Sequence, residues 1–133
     1  MQDKVTFEYA IIRLVPKVER EEFFNVGVIL FSKRKKFLGV KFKVDQQKLN
    51  AFSCELDLET INNYLKSWVL ISKGDTSAGK IGQFEISDRF RWLAASRSTV
   101  IQSSKTHSGL TDNPKKELDS IFQKQVLCED ANN

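Results

Sequence analysis

The chain reads as an α+β fold: an antiparallel sheet of about four strands, a three-strand N-terminal meander plus a later strand, with helices packed on one face. Three observations predict it. Strand-like apolar runs crowd the first third and are joined by connections too short for parallel crossovers. Helical periodicity takes over after residue 45, and a short β-branched segment follows late in the chain. Strands segregated from helices argue against a parallel, doubly wound sheet.

The first three strands are expected over 5–15, rich in Val, Phe, Tyr and Ile, over 22–32, and over 37–44, where Phe37-Leu-Gly-Val-Lys-Phe-Lys-Val44 alternates. A turn around Glu19 would place Arg13 opposite Asn25 and Ile11 opposite Gly27. A turn over Ser32–Lys36 would place Phe31 opposite Phe37 and Ile29 opposite Gly39. On that register the even residues Ile12, Leu14, Phe24, Val26, Val28, Leu30, Leu38, Val40, Phe42 and Val44 share one face, the expected main core. The odd face mixes Phe7, Tyr9, Ile11, Phe23, Ile29, Phe31 and Phe37 with Arg13, Asn25, Lys41 and Lys43.

Helices follow from caps and spacing. Asp45 can cap a short helix over 45–53. Asp57, the stripe Leu58, Ile61, Leu65, Trp68 and the stop Lys73-Gly74 predict one over 58–72. Residues 72–82 read as a Gly-rich loop, 88–95 as a helix carrying Phe90, Trp92 and Leu93, and 98–103 as a fourth strand of unassigned partner. Asn113-Pro114 then opens a last helix with the stripe Leu118, Ile121, Phe122, Val126.

At 133 residues the chain fits one domain over 1–133, with a frayed tail at 129–133. With 41% apolar and 29% charged residues, hydrophobic burial can offset chain entropy without disulfides or metals. Cys54 and Cys128 lie far apart in no metal-binding spacing and read as reduced thiols. The N-terminus lacks a signal-like apolar core and no run approaches a membrane span, so a cytoplasmic protein without membrane contact is the expectation. The formal charge of +4 comes from 21 cations against 17 anions, a mild excess. Its densest cluster, Lys33-Arg34-Lys35-Lys36, reads as a solvated hairpin tip in preference to a nucleic-acid surface, which would need further cations such as Lys41 and Lys43 on the same side.

Phosphate-loop, dinucleotide, zinc-protease and nucleophile-elbow motifs are all absent, which lowers the expectation of an enzyme. No cofactor or metal is indicated. The candidate binding residues are Arg13, Glu22, Asn25, Gly27, Lys41, Arg97 and His107. A charge or amide inside an apolar strand costs several kcal/mol unless paired, so Arg13 and Asn25 either join an internal network, with Glu22 as the carboxylate, or open onto a groove. The network is the favoured reading. In the groove reading Gly27 allows close approach of an anionic ligand or acidic segment. His107, the one histidine, sits in a polar loop and reads as structural rather than as a base or metal ligand.

Two stretches, Tyr9-Ala-Ile-Ile-Arg-Leu-Val-Pro16 with Glu19-Arg-Glu-Glu-Phe-Phe-Asn-Val-Gly-Val-Ile-Leu-Phe31, and Arg89-Phe-Arg-Trp-Leu93 with Arg97-Ser-Thr-Val-Ile-Gln-Ser-Ser104 and His107-Ser-Gly-Leu-Thr-Asp-Asn-Pro114, carry a resemblance. Over residues 7–127 the chain resembles the bacterial family catalogued as domain of unknown function 3037. It departs from the family pattern at Arg20-Glu21-Glu22, where the pattern reads Arg-Gly-Glu, and at Ser108, where a Pro often stands. The resemblance carries no established activity or catalytic residue. It implies a gene neighbourhood shared with a HipA-like kinase, and so a regulatory or partner role.

The leading expectation is a non-enzymatic binding module for a protein such as that kinase. The competing class is an enzyme or nucleic-acid-processing protein, in which several of Arg13, Glu22, Asn25, Arg97 and His107 would converge in one open pocket, a polar site on the mixed face. Nucleic-acid binding through Lys33–Lys36 and Lys41 is the third reading.

Overall fold

The computed structural model describes residues 3–52 and 56–129. Its sheet is organised around β1 (Val5–Leu14), which pairs antiparallel with β2 (Phe24–Ser32) on one side, while β2 pairs onward with β3 (Phe37–Phe42). The expected meander is therefore present, and α+β is the class. On the other side of β1, β4 (Ile101–Ser103) pairs with Ile12–Leu14 and β5 (His107–Thr111) pairs with Val5–Tyr9. Ser104 bridges the gap between them. Its N–H donates to the Ile11 carbonyl at 2.8 Å, and its Oγ accepts from the Ile11 N–H at 2.8 Å, so the ladder runs on without a strand residue.

The fourth strand thus finds its partner in β1. The fifth was expected to be a polar loop, because His107-Ser-Gly-Leu-Thr111 has no apolar alternation; its exposed pattern fits a short edge strand that buries only Thr111 fully.

The described residues form five α-helices: α1 (Gln46–Ala51), α2 (Leu58–Lys73), α3 (Gly79–Gly82), α4 (Ile86–Ala94) and α5 (Pro114–Gln125). The caps act as the residue types predict. Asp45 accepts from the Gln47 and Lys48 N–H groups, Asp57 from Thr60, and Asn113 from Lys116 ahead of Pro114. Gly74 ends α2 with φ 67°. α4 begins two residues earlier than its aromatic stripe suggested, and α3 occupies part of the segment expected to be a loop. The tail expectation lies outside the described residues except for Glu129, whose N–H donates to the Gln123 carbonyl at 3.0 Å. Cys54 also lies outside them, and Cys128 is an exposed free thiol.

The two sheet faces differ from expectation in one instructive respect. Arg13 does pair with Asn25, but Ile12 pairs with Gly27, so β2 carries one extra residue, a β-bulge at Val26. The bulge switches the side-chain parity of β2. Phe24 and Val26 point to the same core as Ile12, Leu14, Leu38 and Val40, and beyond the bulge Ile29 and Phe31 join them. Val28 and Leu30, expected in that core, point to the opposite face. The β2–β3 register is also one residue from expectation, with Ile29 opposite Val40 and Phe31 opposite Leu38. Gly27 is what the bulge requires, since a Cβ there would stand 2.7 Å from the Lys41 carbonyl oxygen.

Helices cover both faces rather than one. α1, α2 and α4 pack Leu49, Ile61, Leu65, Trp68, Ile71, Phe90 and Leu93 over the larger core. α5 lies on the second face, where Leu118, Phe122 and Val126 meet Phe7, Ile11, Val28 and Leu30. That second core is why the odd face carries so many aromatics.

Candidate functional site

The seven candidate residues take three kinds of position. Gly27 is structural. Asn25 and Lys41 anchor α5 to the sheet: the Asn25 Nδ2 group donates to the Gln125 carbonyl at 3.0 Å, at the helix C-terminus, and Lys41 Nζ lies 3.1 Å from Asp119 Oδ1 and 5.0 Å from the centre of the Phe122 ring. Desolvation pushes the Asp119 carboxyl up, but the hydrogen bond and charge of Lys41, backed by Lys115, outweigh it and hold the group below the ordinary carboxylate value.

Glu22 pairs with Arg20 at 2.7 Å on the exposed turn rather than with Arg13. Arg97 belongs to the other face of the sheet. Its guanidinium lies 4.9 Å from the Trp68 ring centre and 4.4 Å from that of Trp92, and it donates to the carbonyls of Leu93 at 2.9 Å, Ala95 at 3.3 Å, and Trp92. It closes the C-terminus of α4, a structural use of a cation. Burial draws its pKa below the ordinary value, with Tyr64 opposing. His107 is exposed in β5 opposite Tyr9, their rings 5.2 Å apart.

Arg13 remains. It stands on the α5 face, past the end of that helix, between Asn25 of β2 and Gln102 of β4. Its guanidinium lies over the Phe23 ring at 4.2 Å, and its Nε is sealed from solvent with no hydrogen-bond partner. Among the described residues the side chain makes no hydrogen bond or ion pair at all. It opens into a cavity bounded by Val15, Val18, Glu21, Phe23, Ser98 and Gln102. Phe23 is 43% exposed, so an aromatic face and a fixed cation are presented together. The other six candidates line no part of this cavity.

The internal network favoured from sequence is therefore absent around Arg13, and Asn25, Lys41 and Gly27, which the groove reading set beside it, are spent on α5 and on the bulge. Sequence reasoning missed Gln102, Ser98 and Glu21. Gln102 was hidden because the partner of the fourth strand could not be assigned. Glu21 adopts φ 57°, ψ 15°, a left-handed conformation that disfavours a side chain, and its signal was the departure from the resembled pattern at Arg20-Glu21-Glu22. Glu21 lies at the cavity wall, yet no ion pair forms between it and Arg13.

No group of three or more His, Cys, Asp or Glu side chains able to hold a metal occurs among the described residues, and no described helix is long and apolar enough to cross a membrane. No curated protein and no solved structure matches the chain. A family model matches residues 9–126, most of the chain, and the protein belongs to the family described as Protein of unknown function (DUF3037).

Proposed function

We propose that this protein is a non-catalytic binding module of the bacterial cytoplasm that takes a carboxylate side chain of a protein partner at the Arg13 cavity. The observation that carries the reading is the unpaired Arg13 guanidinium, held over Phe23 and already partly stripped of water. Part of the desolvation cost of an ion pair is thus met in the free protein, and a planar guanidinium suits a carboxylate in two-point contact. With Glu22, Arg97 and His107 dispersed, Glu21 is the one carboxylate among the described residues that line the cavity, which favours binding over catalysis.

The HipA-like kinase implied by the family's gene neighbourhood is the partner to try. Titration calorimetry of the kinase against the wild-type chain should give a complex that Arg13→Gln and Phe23→Ala each weaken. Loss of one charge-assisted contact corresponds to about tenfold or more in Kd. Arg20→Gln, exposed and paired only with Glu22, serves as the control. Unchanged affinity in both cavity variants, or no complex at low salt, overturns the proposal.

A further inference from the structure

A second site lies on the opposite side of the sheet, independent of Arg13. The hairpin tip between β2 and β3 leans toward the start of α4, and the cleft between them is bordered by Thr6, Glu8, Lys33, Arg34, Ser87 and Arg91. Its floor is apolar, formed by the Phe31 and Phe90 rings, stacked with centroids 4.9 Å apart. Lys33 and Arg34 are exposed and have no carboxylate partner among the described residues. Arg91 spends one nitrogen on Asp88 at 3.1 Å and leaves the others without a protein partner. No side chain caps α4 at Glu85, so the N–H groups of its first turn, that of Ser87 among them, are open at the positive end of the helix dipole.

We propose that this cleft binds a small phosphorylated sugar, its phosphate held by Lys33, Arg34, Arg91 and the first turn of α4. Two cations of the hairpin tip, with Arg91 and the uncapped helix start of α4 across the cleft, supply the donors that a phosphate needs. Glu8, an acceptor with no protein donor, is suited to the hydroxyls of the same ligand, and the Phe floor to its carbon skeleton.

The cleft volume of about 300 Å³ matches a small molecule rather than a polymer. The basic cluster also turns away from the cleft beyond Arg34, which borders both the cleft and a neighbouring hollow that Lys35 lines with Asp3 and Asp112, and Lys41 is tied to Asp119 on the other face. It therefore offers no continuous stripe for a nucleic-acid backbone.

Amide chemical-shift titration of the full chain tests the assignment, with ribose 5-phosphate, inorganic phosphate, ribose and a single-stranded DNA oligonucleotide as probes. Ribose 5-phosphate should give saturable shifts at Lys33, Arg34, Ser87 and Arg91, inorganic phosphate weaker ones, and ribose none. Arg34→Gln, at an exposed position, should weaken ribose 5-phosphate by about tenfold or more. Glu8→Ala, at an exposed position, should remove most of the preference over inorganic phosphate, and Arg13→Gln should change nothing. Shifts that do not saturate or lie elsewhere, equal binding of ribose, or tighter binding of the oligonucleotide than of ribose 5-phosphate would overturn it.

Discussion

Replacing Gly27 with Ala tests the bulge that sets both faces of the sheet. An ideal Cβ at this position stands 2.7 Å from the Lys41 carbonyl oxygen, 3.0 Å from Ile12 Cδ1 and 3.1 Å from Phe42 Cβ. Carbon and carbonyl oxygen approach comfortably to about 3.3 Å, so the methyl overlaps the oxygen by roughly half an ångström. Side-chain atoms could yield, but that oxygen is backbone, held in the ladder where Val28 pairs with Lys41. Overpacking of a tight core costs about 1–3 kcal/mol, and the entropy gained by removing a Gly from the unfolded chain returns about 0.4–1 kcal/mol only where the native backbone accepts the methyl. A net loss of roughly 2 kcal/mol is expected, a large share of the 5–15 kcal/mol typical of a domain. Urea denaturation reads it as a lowered midpoint at unchanged slope. A loss under about 0.5 kcal/mol, or a gain, would refute the account of Gly27.

Three further outcomes are expected. Glu21→Gly relieves a left-handed residue and should stabilise the fold by about 0.5–1 kcal/mol in the same assay, whereas a loss would show the turn to be unstrained. Arg97→Ala removes a cation shared by two Trp rings and three carbonyls and should cost about 2–4 kcal/mol; Arg97→Lys, unable to reach three carbonyls at once, should recover only part, and full recovery contradicts the assignment. Asp119 has its folded-state pKa depressed, so its contribution is complete above the ordinary value of 3.8 and is lost as pH falls through the lower folded value. The stability gap between wild type and Asp119→Asn, at most about 1 kcal/mol for so exposed a pair, should close as pH falls below the ordinary value of 3.8, and a gap that widens on acidification would reverse the sign.

The bulge explains why the strand reading succeeded by half. Period-two alternation identified all three meander strands, and on β1 and β3 it placed Ile12, Leu14, Leu38 and Val40 correctly. On β2 it failed from Val28 onward, because Val26-Gly27-Val28-Ile29-Leu30-Phe31 is apolar at every position and suits either parity. Gly27 was noticed, but as room for a ligand; its neighbour proved to be the Lys41 carbonyl of the same protein. The aromatics of the mixed face were visible too. Their partner, the stripe of α5, was equally visible, yet nothing within either segment shows that one lies on the other.

The site divides along the same line. The oddity of an Arg inside a strand was legible, as was its register against Asn25. Its lack of a carboxylate was not, because Glu22 was near enough in sequence to be a partner and the structure turns it toward Arg20 instead.

By itself, then, the sequence determined the fold class, the order of the four strands and four helices it revealed, the family, and where the main helices start and stop, since caps, glycine stops and periodicities act over one to four residues along the chain. Tertiary structure decided which face each β2 residue serves, what covers the second face, and which polar residues are spent on holding the fold. Those answers depend on contacts such as Asn25 with Gln125 and Lys41 with Asp119, 100 and 78 residues apart, and on a register in which one extra residue reverses every side chain beyond it. The same long-range packing consumes Asn25, Lys41 and Arg97 and leaves Arg13 unpaired in its cavity.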